Sequence, residues 1–396
     1  MALFGPRREC RAVRRLAIDM LVGDTTRYFG IVAGVAIAAF LIGQQLAMLN
    51  GILDRITASV AGVAGVEIWV MDPRVQSGED GKPMVDAQLA RVRGVDGVSW
   101  AAPLSKASLR VRLEDGNFQS AVVNGLDDST FVGGPAEMVK GTVFDLRNVG
   151  GIIVDEDSAN SKLAQRGPGG GKRPLTVGSM LELNDRRAVV VGICKSVRTF
   201  QSQPVVYTTY TRAGTFAPPE RKRLSFILVK TKPGQDPPTV ARRIHGSTGL
   251  KALTTDEFRD ITREYFIQET GIIGTFLAGI AVSFFVGTVI AGQTLYNFTI
   301  ENLRQFGAIK AMGASNWTVM SMVLSQAAFV GMLGLCIGTG LAAAFAWLTR
   351  DTELNLRFST QQIAVTALAV TAITMVAAAL ASRRVIRLEP AEVFKG

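Results

Sequence analysis

Few side chains in this sequence are spaced in a way that could support chemistry, and the first candidate is a glycine-rich stretch. RGPGGGKRP (166–174) comes close to the G-x-x-x-x-G-K-[ST] loop, whose backbone N–H groups cradle phosphates and whose hydroxyl binds Mg²⁺. That pattern needs glycine at position 166 and serine or threonine at 173, and the chain has arginine at both. No nucleotide site is therefore predicted. The Pro/Gly content indicates a mobile loop or a boundary between two lobes.

The other reactive residues lack the partners that catalysis or metal binding would need. His245, the only histidine, has no recognisable acid or nucleophile beside it and is predicted to lie at a helix end. The run Asp155, Glu156 and Asp157 lacks the remaining ligands of a calcium loop, so a solvated face or helix N-terminus is favoured over calcium binding. No Gly-x-Ser-x-Gly elbow occurs. We predict a non-catalytic chain without a metal site or a cofactor of its own.

Composition indicates where the structural elements lie. The 396 residues are 48% hydrophobic and 19% charged, which is more apolar than an ordinary soluble protein. Four runs without Asp, Glu, Lys or Arg are long enough to cross about 30 Å of hydrocarbon, namely residues 28–49, 272–296, 317–348 and 360–382. A basic leader precedes the first run, so a cleaved signal peptide is the alternative there. The run is too long for such a peptide, and an uncleaved anchor is favoured.

Lysines and arginines near the ends of these runs predict the orientation of the chain. They cluster before the first run, between the second and third, and after the fourth. The loop between the third and fourth runs has only Arg350 and Arg357, which Asp351 and Glu353 cancel. Both termini and the loop after the second run are therefore predicted to be cytoplasmic. The formal net charge of +10 is assigned largely to this topology and to anionic lipids, so no nucleic-acid partner is predicted.

The predicted fold is an α-helical membrane protein with four transmembrane helices and a large α+β extracytoplasmic domain inserted between helices 1 and 2. The inserted domain is expected to have two lobes and to be folded, because structureless loops are far shorter. The predicted segments are a basic cytoplasmic tail (1–27), a transmembrane helix (28–50), the extracytoplasmic domain (51–270), a transmembrane helix (271–298), a cytoplasmic helix (299–315), a transmembrane helix (316–349), an external loop (350–359), a transmembrane helix (360–382) and a cytoplasmic tail (383–396).

Within the inserted domain, alternating apolar residues rich in Val and Ile predict strands. Two of these stretches meet at Asp-Gly and Asn-Asp dipeptides, which are typical of hairpins. Short helices are predicted at 86–94 and 239–246, with Asp86 and Thr239 as N-caps. The predicted strand-rich stretches are 66–72, 108–127, 181–193, 204–210 and 225–232.

The membrane runs carry a few polar residues and two pairs of glycines. In lipid, polar groups need partners, so contacts between helices are favoured, and a substrate path is the alternative. The polar residues are Gln44, Gln45, Gln293, Asn297 and Gln326. Close helix packing is predicted at two G-x-x-x-G pairs, Gly30 with Gly34 and Gly334 with Gly338.

A charged, glycine-punctuated stretch, ENLRQFGAIKAMGAS (301–315), lies between the second and third runs. Apolar residues recur there at helical spacing, and Gly313 followed by Ser315 predicts that one short helix ends and the next begins. The plain interpretation is an interfacial turn helix. The alternative is a docking surface for a cytoplasmic partner, whose motion the helix would carry into the flanking spans. The apolar positions are Leu303, Phe306, Ile309 or Lys310, and Met312 or Gly313, and the charged positions are Glu301, Arg304 and Lys310.

Several stretches resemble a known family. LRQFGAIKAMGAS, after the second of four spans, is similar to the coupling helix of the MacB/FtsX-type ABC transporter permeases. One span, a large outer domain and three further spans is that family's layout. LTVGSMLELNDRRAVVVGICKS (175–196) and RRVIRLEPAEVFKG (383–396) resemble its outer-domain and C-terminal patterns. The opening LVGDTTRYFGIVAGVAIAAFLIGQQLAMLNG (21–51) looks most like the DevC branch, which has no fused ATPase.

The resemblance implies a mechanism and a set of partners. Two copies of a separate ABC ATPase subunit, holding ATP and Mg²⁺, would push on the coupling helices, and the spans would tilt as levers. The other implied partners are a second or homologous permease copy, membrane lipids, and a periplasmic adaptor with an outer-membrane channel. The family often has glutamate where this chain has Gln305, which bears on one ion pair with the ATPase. The coupling residues carried over are Glu301, Leu303, Arg304, Gln305, Phe306, Gly307, Ile309, Lys310, Met312, Gly313 and Ser315.

Three functions compete at this point. The first is the permease subunit of a transporter that exports a lipidic or amphiphilic substrate across the bacterial inner membrane. The second is an FtsX-like regulatory mechanotransmitter that controls an extracytoplasmic cell-wall hydrolase without transport. The third is a structural membrane anchor without an ATPase, which leaves the coupling-helix resemblance unexplained. We expect the first.

Overall fold

The computed structural model describes residues 16–23, 25–113, 115–166, 171–196, 203–217, 224–349 and 356–386. The chain divides into two compact units. The helical unit is Met1–Gly51 with Ile272–Gly396, and the sheet unit is Ile52–Gly271. Predictions for the basic tail up to residue 15, for most of the loop 350–359 and for the tail beyond residue 386 lie outside the described residues.

Helices and strands alternate in the middle of the chain, and helices alone follow. In chain order the elements are α1 (Thr25–Ala61), β1 (Ile68–Met71), α2 (Ala87–Arg93), β2 (Val98–Arg112), β3 (Phe118–Leu126), β4 (Glu137–Lys140), β5 (Gly151–Asp155), α3 (Glu156–Asn160), β6 (Gln165–Arg166), β7 (Lys172–Arg173), β8 (Met180–Leu183), β9 (Arg186–Lys195), β10 (Val205–Thr209), α4 (Tyr210–Phe216), β11 (Phe226–Thr231), α5 (Pro237–Thr248), β12 (Lys251–Thr254), α6 (Thr255–Glu269), α7 (Ile272–Glu301), α8 (Leu303–Ala311), α9 (Asn316–Leu348) and α10 (Thr360–Ile386). A 3₁₀ turn, Val143–Arg147, joins β4 to β5, and residues 16–23 are helical.

Four helices of the described chain are long and apolar enough to cross a membrane. They are Tyr28–Ala58 within α1, Ile272–Glu301 (α7), Asn316–Leu348 (α9) and Thr360–Arg383 within α10. A helix is the expected form, because each N–H and C=O must find its hydrogen bond within the segment when water is absent. The four predicted spans are confirmed, and each overlaps its predicted apolar run.

The core of the helical unit is one apolar cluster to which all four of these helices contribute. Val35 of α1, Phe298 of α7, Val323 of α9 and Ile373 of α10 are fully buried in it. α10 packs along both α7 and α9. The helical unit therefore has a continuous packed interior and not a row of separate spans.

Two of the predicted packing glycines lie where α9 approaches α1 closely. A Cβ placed on Gly334 would come within 2.6 Å of Val35 Cγ1, and a Cβ on Gly338 would come within 2.5 Å of Ala36 O. Real Cβ atoms do not reach such distances, so only glycine permits this approach of the two backbones. The structure thus uses the Gly334 and Gly338 pair as the sequence predicts.

In the other glycine pair, Gly34 lies close to a neighbouring helix and Gly30 does not. A Cβ on Gly34 would lie 2.6 Å from Ile290 Cγ2 of α7. Gly30, however, is exposed and has nothing within 4 Å of its Cβ position. The packing predicted for Gly30 is therefore not made within the described chain. At 3.6 residues per turn, the fully buried Ile31 points toward the neighbouring helices in its place.

Two glutamine amides connect segments of the helical unit. Gln326 Nε2 of α9 donates to Ala17 O at 2.8 Å, and Gln362 Nε2 of α10 donates to Gly43 O of α1 at 2.6 Å. The predicted structural role of Gln326 is confirmed. Gln362 escaped prediction because it lies in the first turn of its helix, where a polar residue is expected in any case. Of the other predicted polar residues, Gln44 and Gln45 are half-buried, and Gln293 and Asn297 are exposed.

The sheet unit is built on a ten-stranded mixed sheet with the strand order β12-β1-β11-β2-β3-β10-β5-β9-β4, and β8 pairs with both β2 and β9. β3 pairs with β10 in parallel, β5 pairs with β9 in parallel, and the remaining neighbours are antiparallel. The long β2 connects the two halves of the sheet. Its first residues pair with β11 and its last residues with β3. Helices pack on this sheet, so the predicted α+β domain is confirmed.

Both predicted hairpins are present. β2 pairs with β3 around the turn that contains Gly116, and β8 pairs with β9 around Asn184 and Asp185. Asn184 and Asp185 have φ values of 49° and 61°. Positive φ at both central residues is the mark of a two-residue hairpin turn that follows the twist of the strands, and Asn and Asp tolerate it better than most residues.

Of the two N-caps predicted in the sheet unit, Asp86 does occupy the N-cap position, and Thr239 does not. Asp86 precedes α2 but makes no capping bond, because its carboxylate accepts a hydrogen bond from Tyr210 Oη at 2.5 Å. α5 begins at Pro237, and its cap is Asp236, whose Oδ2 accepts from Thr239 N at 3.2 Å. Proline at the first helical position has a helical φ already and loses no hydrogen bond there, so the helix starts earlier than predicted.

The Pro/Gly-rich stretch 166–174 does not separate two lobes. Residues 167–170 lie outside the described residues, but the flanks pair as the short hairpin β6–β7. Leu163 before the hairpin and Leu175 after it are buried in the same apolar cluster. The residues before and after the stretch therefore pack in one core, and the stretch is not a boundary between two cores.

Candidate coupling surface

Helix α8 follows α7 after a single residue, Asn302. Asn302 Nδ2 donates to Phe298 O at 2.9 Å, and Asn302 O accepts from Phe306 N at 3.1 Å. The side chain thereby satisfies a carbonyl in the last turn of α7, while the backbone opens the next helix. The connection between the two helices is therefore short and hydrogen-bonded.

Phe306 anchors α8 in the helical unit. It is 0% exposed and belongs to the same apolar cluster as Phe298 of α7 and Met322 of α9. Leu303 and Ile309 are partly buried against that cluster. Full burial of a phenylalanine side chain is worth about 1.5–3 kcal/mol. α8 is consequently held against both of the helices that it connects.

The end of α8 and the start of α9 are also fixed. Gly313 has a φ of +96°, its N–H donates to Lys310 O at 2.9 Å, and Ala314 N donates to Ile309 O at 3.2 Å. This pair of bonds is the Schellman motif, which favours glycine at the left-handed position. Ser315 Oγ then accepts from Thr318 N at 3.2 Å and caps α9. The predicted glycine stop and serine cap are confirmed.

One set of residues on α8, in the turn that follows it and in the first turn of α9 is left exposed. We define the coupling surface as Arg304, Gln305, Ala308, Met312 and Trp317, all of which are exposed in the described chain. Met312 is 79% exposed and Trp317 is 75% exposed. Tryptophan at the end of a membrane-length helix is also typical of an interface anchor. Met312 lies in the turn between the two helices, outside both membrane-length helices.

The predicted coupling residues therefore differ in burial. Phe306 was expected to take part in docking, but it points into the chain's own core, because an aromatic side chain on a short helix is stabilised most by burial. Trp317 was missed, because it counted as the first residue of an apolar run. Phe306 and Gly307 are buried, Leu303, Ile309 and Lys310 are half-buried, and Glu301, Arg304, Gln305, Met312, Gly313 and Ser315 are exposed.

Buried polar groups of the sheet unit join its elements to one another. Asp155 caps α3, where its Oδ2 accepts from Ser158 N at 2.9 Å, and its Oδ1 accepts from Val205 N of β10 at 2.7 Å. Burial raises the pKa of Asp155, although both hydrogen bonds favour the carboxylate. The helix N-terminus predicted at 155–157 is confirmed, but Asp155 itself is buried and not solvated.

Cys194 and His245 also lie within the sheet unit. Burial raises the pKa of the Cys194 thiol to about 12, so the group is a neutral thiol near pH 7. His245 lies in the last turn of α5, and its Nδ1 is 2.8 Å from Leu250 O. No group of three His, Cys, Asp or Glu side chains within the described ranges could hold a metal ion.

These features define a multi-span membrane protein with one large domain inserted after its first span. A family model described as the MacB-like periplasmic core domain matches residues 28–246, and a model described as the FtsX-like permease C-terminal matches residues 277–390. Since the first match covers more than half of the chain, the protein belongs to this family and is an ABC transporter permease of the MacB/FtsX type.

Relatives of known sequence carry corresponding names. The "Macrolide export ATP-binding/permease protein MacB" of Agrobacterium fabrum is 24% identical over 388 residues, which are 92% of this chain and 56% of that protein. An uncharacterized ABC transporter permease of Methanocaldococcus jannaschii is 26% identical over 179 residues, 44% of each chain. One of Mycobacterium tuberculosis is 25% identical over 84% of this chain and 85% of its own length. The chain thus spans about half the length of the first two relatives.

Solved structures are similar to about half of this chain, at lower identity. The periplasmic region of MacB from Actinobacillus actinomycetemcomitans has 16% identity and a TM-score of 0.37, and covers 51% of this chain and 94% of its own. The extracellular domain of the transporter YknZ from Gram-positive bacteria has 16% identity and a TM-score of 0.34, and covers 48% of this chain and 98% of its own.

Proposed function

We propose that this permease couples ATP hydrolysis by a separate ATPase subunit to movement across the membrane, and thereby drives export of a lipidic or amphiphilic substrate. The observation that carries the proposal is the exposed Met312 on a turn whose neighbouring helix is anchored by the buried Phe306. A partner that binds Met312 and Trp317 would contact a site that is directly connected to two membrane-length helices. The MacB relatives are named for macrolide export, and macrolides are amphiphilic.

The anchoring of α8 explains how a push would be transmitted. Asn302 bonds α8 to the last turn of α7, and Ser315 caps α9 directly after the Gly313 turn. Without a flexible stretch between these caps, displacement of α8 has to move both flanking helices. Rigid-body displacement of packed helices is an established route for conformational coupling.

The partners follow from the same proposal. ATP and Mg²⁺ would be bound by two copies of the ATPase and not by this chain. We further propose a second permease copy beside the helical unit, a location in the bacterial inner membrane with both termini cytoplasmic, and contact of the sheet unit with a periplasmic adaptor that leads to an outer-membrane channel. The DevC-branch resemblance supports a separate ATPase chain.

The test is co-purification of an ABC ATPase with the detergent-solubilised permease. Met312→Asp places a charge on the coupling surface, and we expect it to weaken ATPase binding about tenfold or more, as substitutions at binding hot spots do. Val149→Asp is the matched control, because Val149 is 95% exposed in the sheet unit and away from the coupling surface in the chain. Equal ATPase recovery with Met312→Asp and with Val149→Asp would refute the proposed docking.

The match to the FtsX-like permease model keeps a second function open, namely regulation of an extracytoplasmic cell-wall hydrolase. Both functions use the coupling surface and differ in what the sheet unit acts upon. Export predicts that cells carrying Met312→Asp retain more of an amphiphile such as a macrolide. Regulation predicts unchanged retention and a defect in wall hydrolysis.

A further inference from the structure

Helix α7 has a face that is left largely exposed in the described chain. Of the four membrane-length helices, α7 has the smallest buried share. A stripe of exposed residues runs along it, namely Val282, Val286, Ile290, Gln293 and Asn297. At about 100° per residue, these positions fall within about 80° of one another around the helix axis. The stripe, which we call the α7 face, is apolar in its first part and carries amides in its second.

The two amides of the α7 face have no partner within the chain. No hydrogen bond to the side chain of Gln293 or Asn297 is formed within the described ranges. Gln293 precedes Glu301, the last residue of α7, by two turns, which is about 12 Å along the helix axis. Its amide therefore lies within the apolar span. In hydrocarbon an amide without a partner is costly, and such groups pair across helices.

Helix α1 leaves space beside these amides. Gly34 of α1 lies against Ile290, and residues further along α1 meet earlier residues of α7, so the two helices are antiparallel. Gly30, one turn before Gly34, is therefore at the level of Gln293. It is exposed and has nothing within 4 Å of its Cβ position. A further helix can thus approach the α7 face closely at the depth of the amides.

The chemistry of the α7 face favours a second copy of this chain as the occupant. Lipid tails offer the amides no hydrogen bond, and the face carries no charge that would select a charged partner. A side-chain amide has both donor and acceptor groups, so an identical amide satisfies it when two copies meet about a twofold axis. Both copies insert in the same orientation, so two neighbouring α7 helices are parallel. In parallel helix pairs, apolar residues pack on their counterparts and a polar residue such as asparagine fixes the register.

We infer that the α7 face is the contact between two copies of the permease, in which Gln293 and Asn297 form hydrogen bonds with the amides of the second copy. Val282, Val286 and Ile290 pack on the same residues across the twofold axis. The inference rests on the second permease copy of the proposed function and adds the surface through which that copy binds. It involves neither the ATPase nor the coupling surface.

The first test is disulfide cross-linking of the full-length permease in membranes, in a Cys10→Ser, Cys336→Ser background. Gln293→Cys and Asn297→Cys are oxidised separately, so each variant keeps one amide. Met375→Cys is the matched control, because Met375 is 58% exposed on α10 and precedes Arg383 by two turns, as Gln293 precedes Glu301. We expect a dimer-sized product from both α7 variants and none from Met375→Cys, because a disulfide requires Cα atoms within about 7 Å.

The second test is energy transfer between donor- and acceptor-labelled copies of the detergent-solubilised permease, measured on dilution. The double variant Gln293→Leu, Asn297→Leu removes both amides and keeps an apolar surface. We expect its dissociation constant to rise about tenfold, as the loss of hydrogen bonds between membrane helices predicts. Gln361→Leu is the control, because Gln361 is exposed in the first turn of α10, and it should leave the dissociation constant unchanged. Thermal stability equal to that of the parent shows that the variants are folded.

The outcomes separate this inference from the proposed function. Cross-linking through Met375→Cys without cross-linking through either α7 variant would overturn the α7 contact and leave the second copy in place. A permease that is monomeric in both tests would overturn both proposals. Equal product from all three cysteine variants would indicate random collision and would also refute the contact. An unchanged dissociation constant in the double leucine variant would refute pairing of the amides and would leave water or lipid headgroups as their partners.

Discussion

At the scale of single residues, Phe306 and Met312 of the stretch 301–315 differ in burial. Phe306 is fully buried with Phe298 and Met322, so it determines where α8 lies. Met312 is 79% exposed and makes little contribution to the fold. A substitution at one position should therefore alter stability, and a substitution at the other should alter binding. Experiments that used Phe306 to test docking would confuse the two effects.

Phe306→Ala should destabilise the helical unit. Removal of a fully buried phenylalanine side chain leaves a cavity and costs about 3–5 kcal/mol in well-packed cores. The measurement is denaturant or thermal unfolding of the detergent-solubilised protein. Met312→Ala is the control and should change the unfolding free energy by less than about 0.5 kcal/mol, as exposed substitutions do. Similar stabilities for the two variants would contradict the burial of Phe306.

Cys194 should resist alkylation in the folded protein. Burial raises its pKa from 9.0 to about 12, which lowers the fraction of reactive thiolate at pH 7.5 about a thousandfold. Because the folded pKa lies above the ordinary value, reactivity should rise with pH and should be restored by unfolding. The measurement is N-ethylmaleimide labelling of a Cys10→Ser, Cys336→Ser protein in native buffer and in denaturant. Fast labelling of the native protein would show that Cys194 is accessible.

At the scale of elements, the helical unit depends on the close approach of α9 to α1 and on two hydrogen bonds that glutamine side chains donate. Gly334 and Gly338 let α9 meet α1 at backbone distance. Gln362 then ties α10 to Gly43 of α1 through a bond of 2.6 Å. In lipid there is little hydrophobic drive between helices, so close packing and such polar bonds contribute most of the specificity.

Gly338→Leu should separate α1 from α9. Even a methyl group on Gly338 would overlap Ala36 O, so the larger side chain must displace backbone, at a cost of about 1–3 kcal/mol or more. Gly340→Leu is a suitable control, because Gly340 lies on the same helix and has nothing within 4 Å of its Cβ position. Thermal inactivation in detergent should come earlier for Gly338→Leu alone. Equal losses for the two variants would argue against the contact.

The sequence predicted elements well where the signal is local. Apolar length predicted the four spans, Asn184 and Asp185 predicted a tight hairpin, and Gly313 with Ser315 predicted the turn before α9, since each depends on neighbouring residues only. It failed where the outcome depends on distant partners. The burial of Phe306 requires knowledge of α7 and α9, and the isolation of Gly30 requires knowledge of how α1 is rotated.

At the scale of the whole molecule, the chain combines two units with different chemistry. The helical unit has one apolar core, and its four long helices have almost no charges within their spans. The sheet unit carries paired charges, hairpins and buried polar groups that a bilayer could not accommodate. A charged domain of this size has to lie on one side of the membrane. Which side it occupies decides whether the proposed coupling acts across the bilayer.

The basic residues of the sequence predict the answer to that question. Lys and Arg cluster near the N-terminus and near the C-terminus, and the stretch 301–315 carries Arg304 and Lys310. The positive-inside rule predicts that these segments are cytoplasmic. The membrane-length helix α7 lies between the sheet unit and the stretch 301–315. If α7 crosses the membrane once, the sheet unit should be on the outer side. In a cysteine-free background, Arg304→Cys should react with an impermeant maleimide only in inverted vesicles. Val149→Cys should react only in spheroplasts. Labelling of both positions from the same side would remove the basis for coupling across the membrane, whatever ATPase was recovered with the protein.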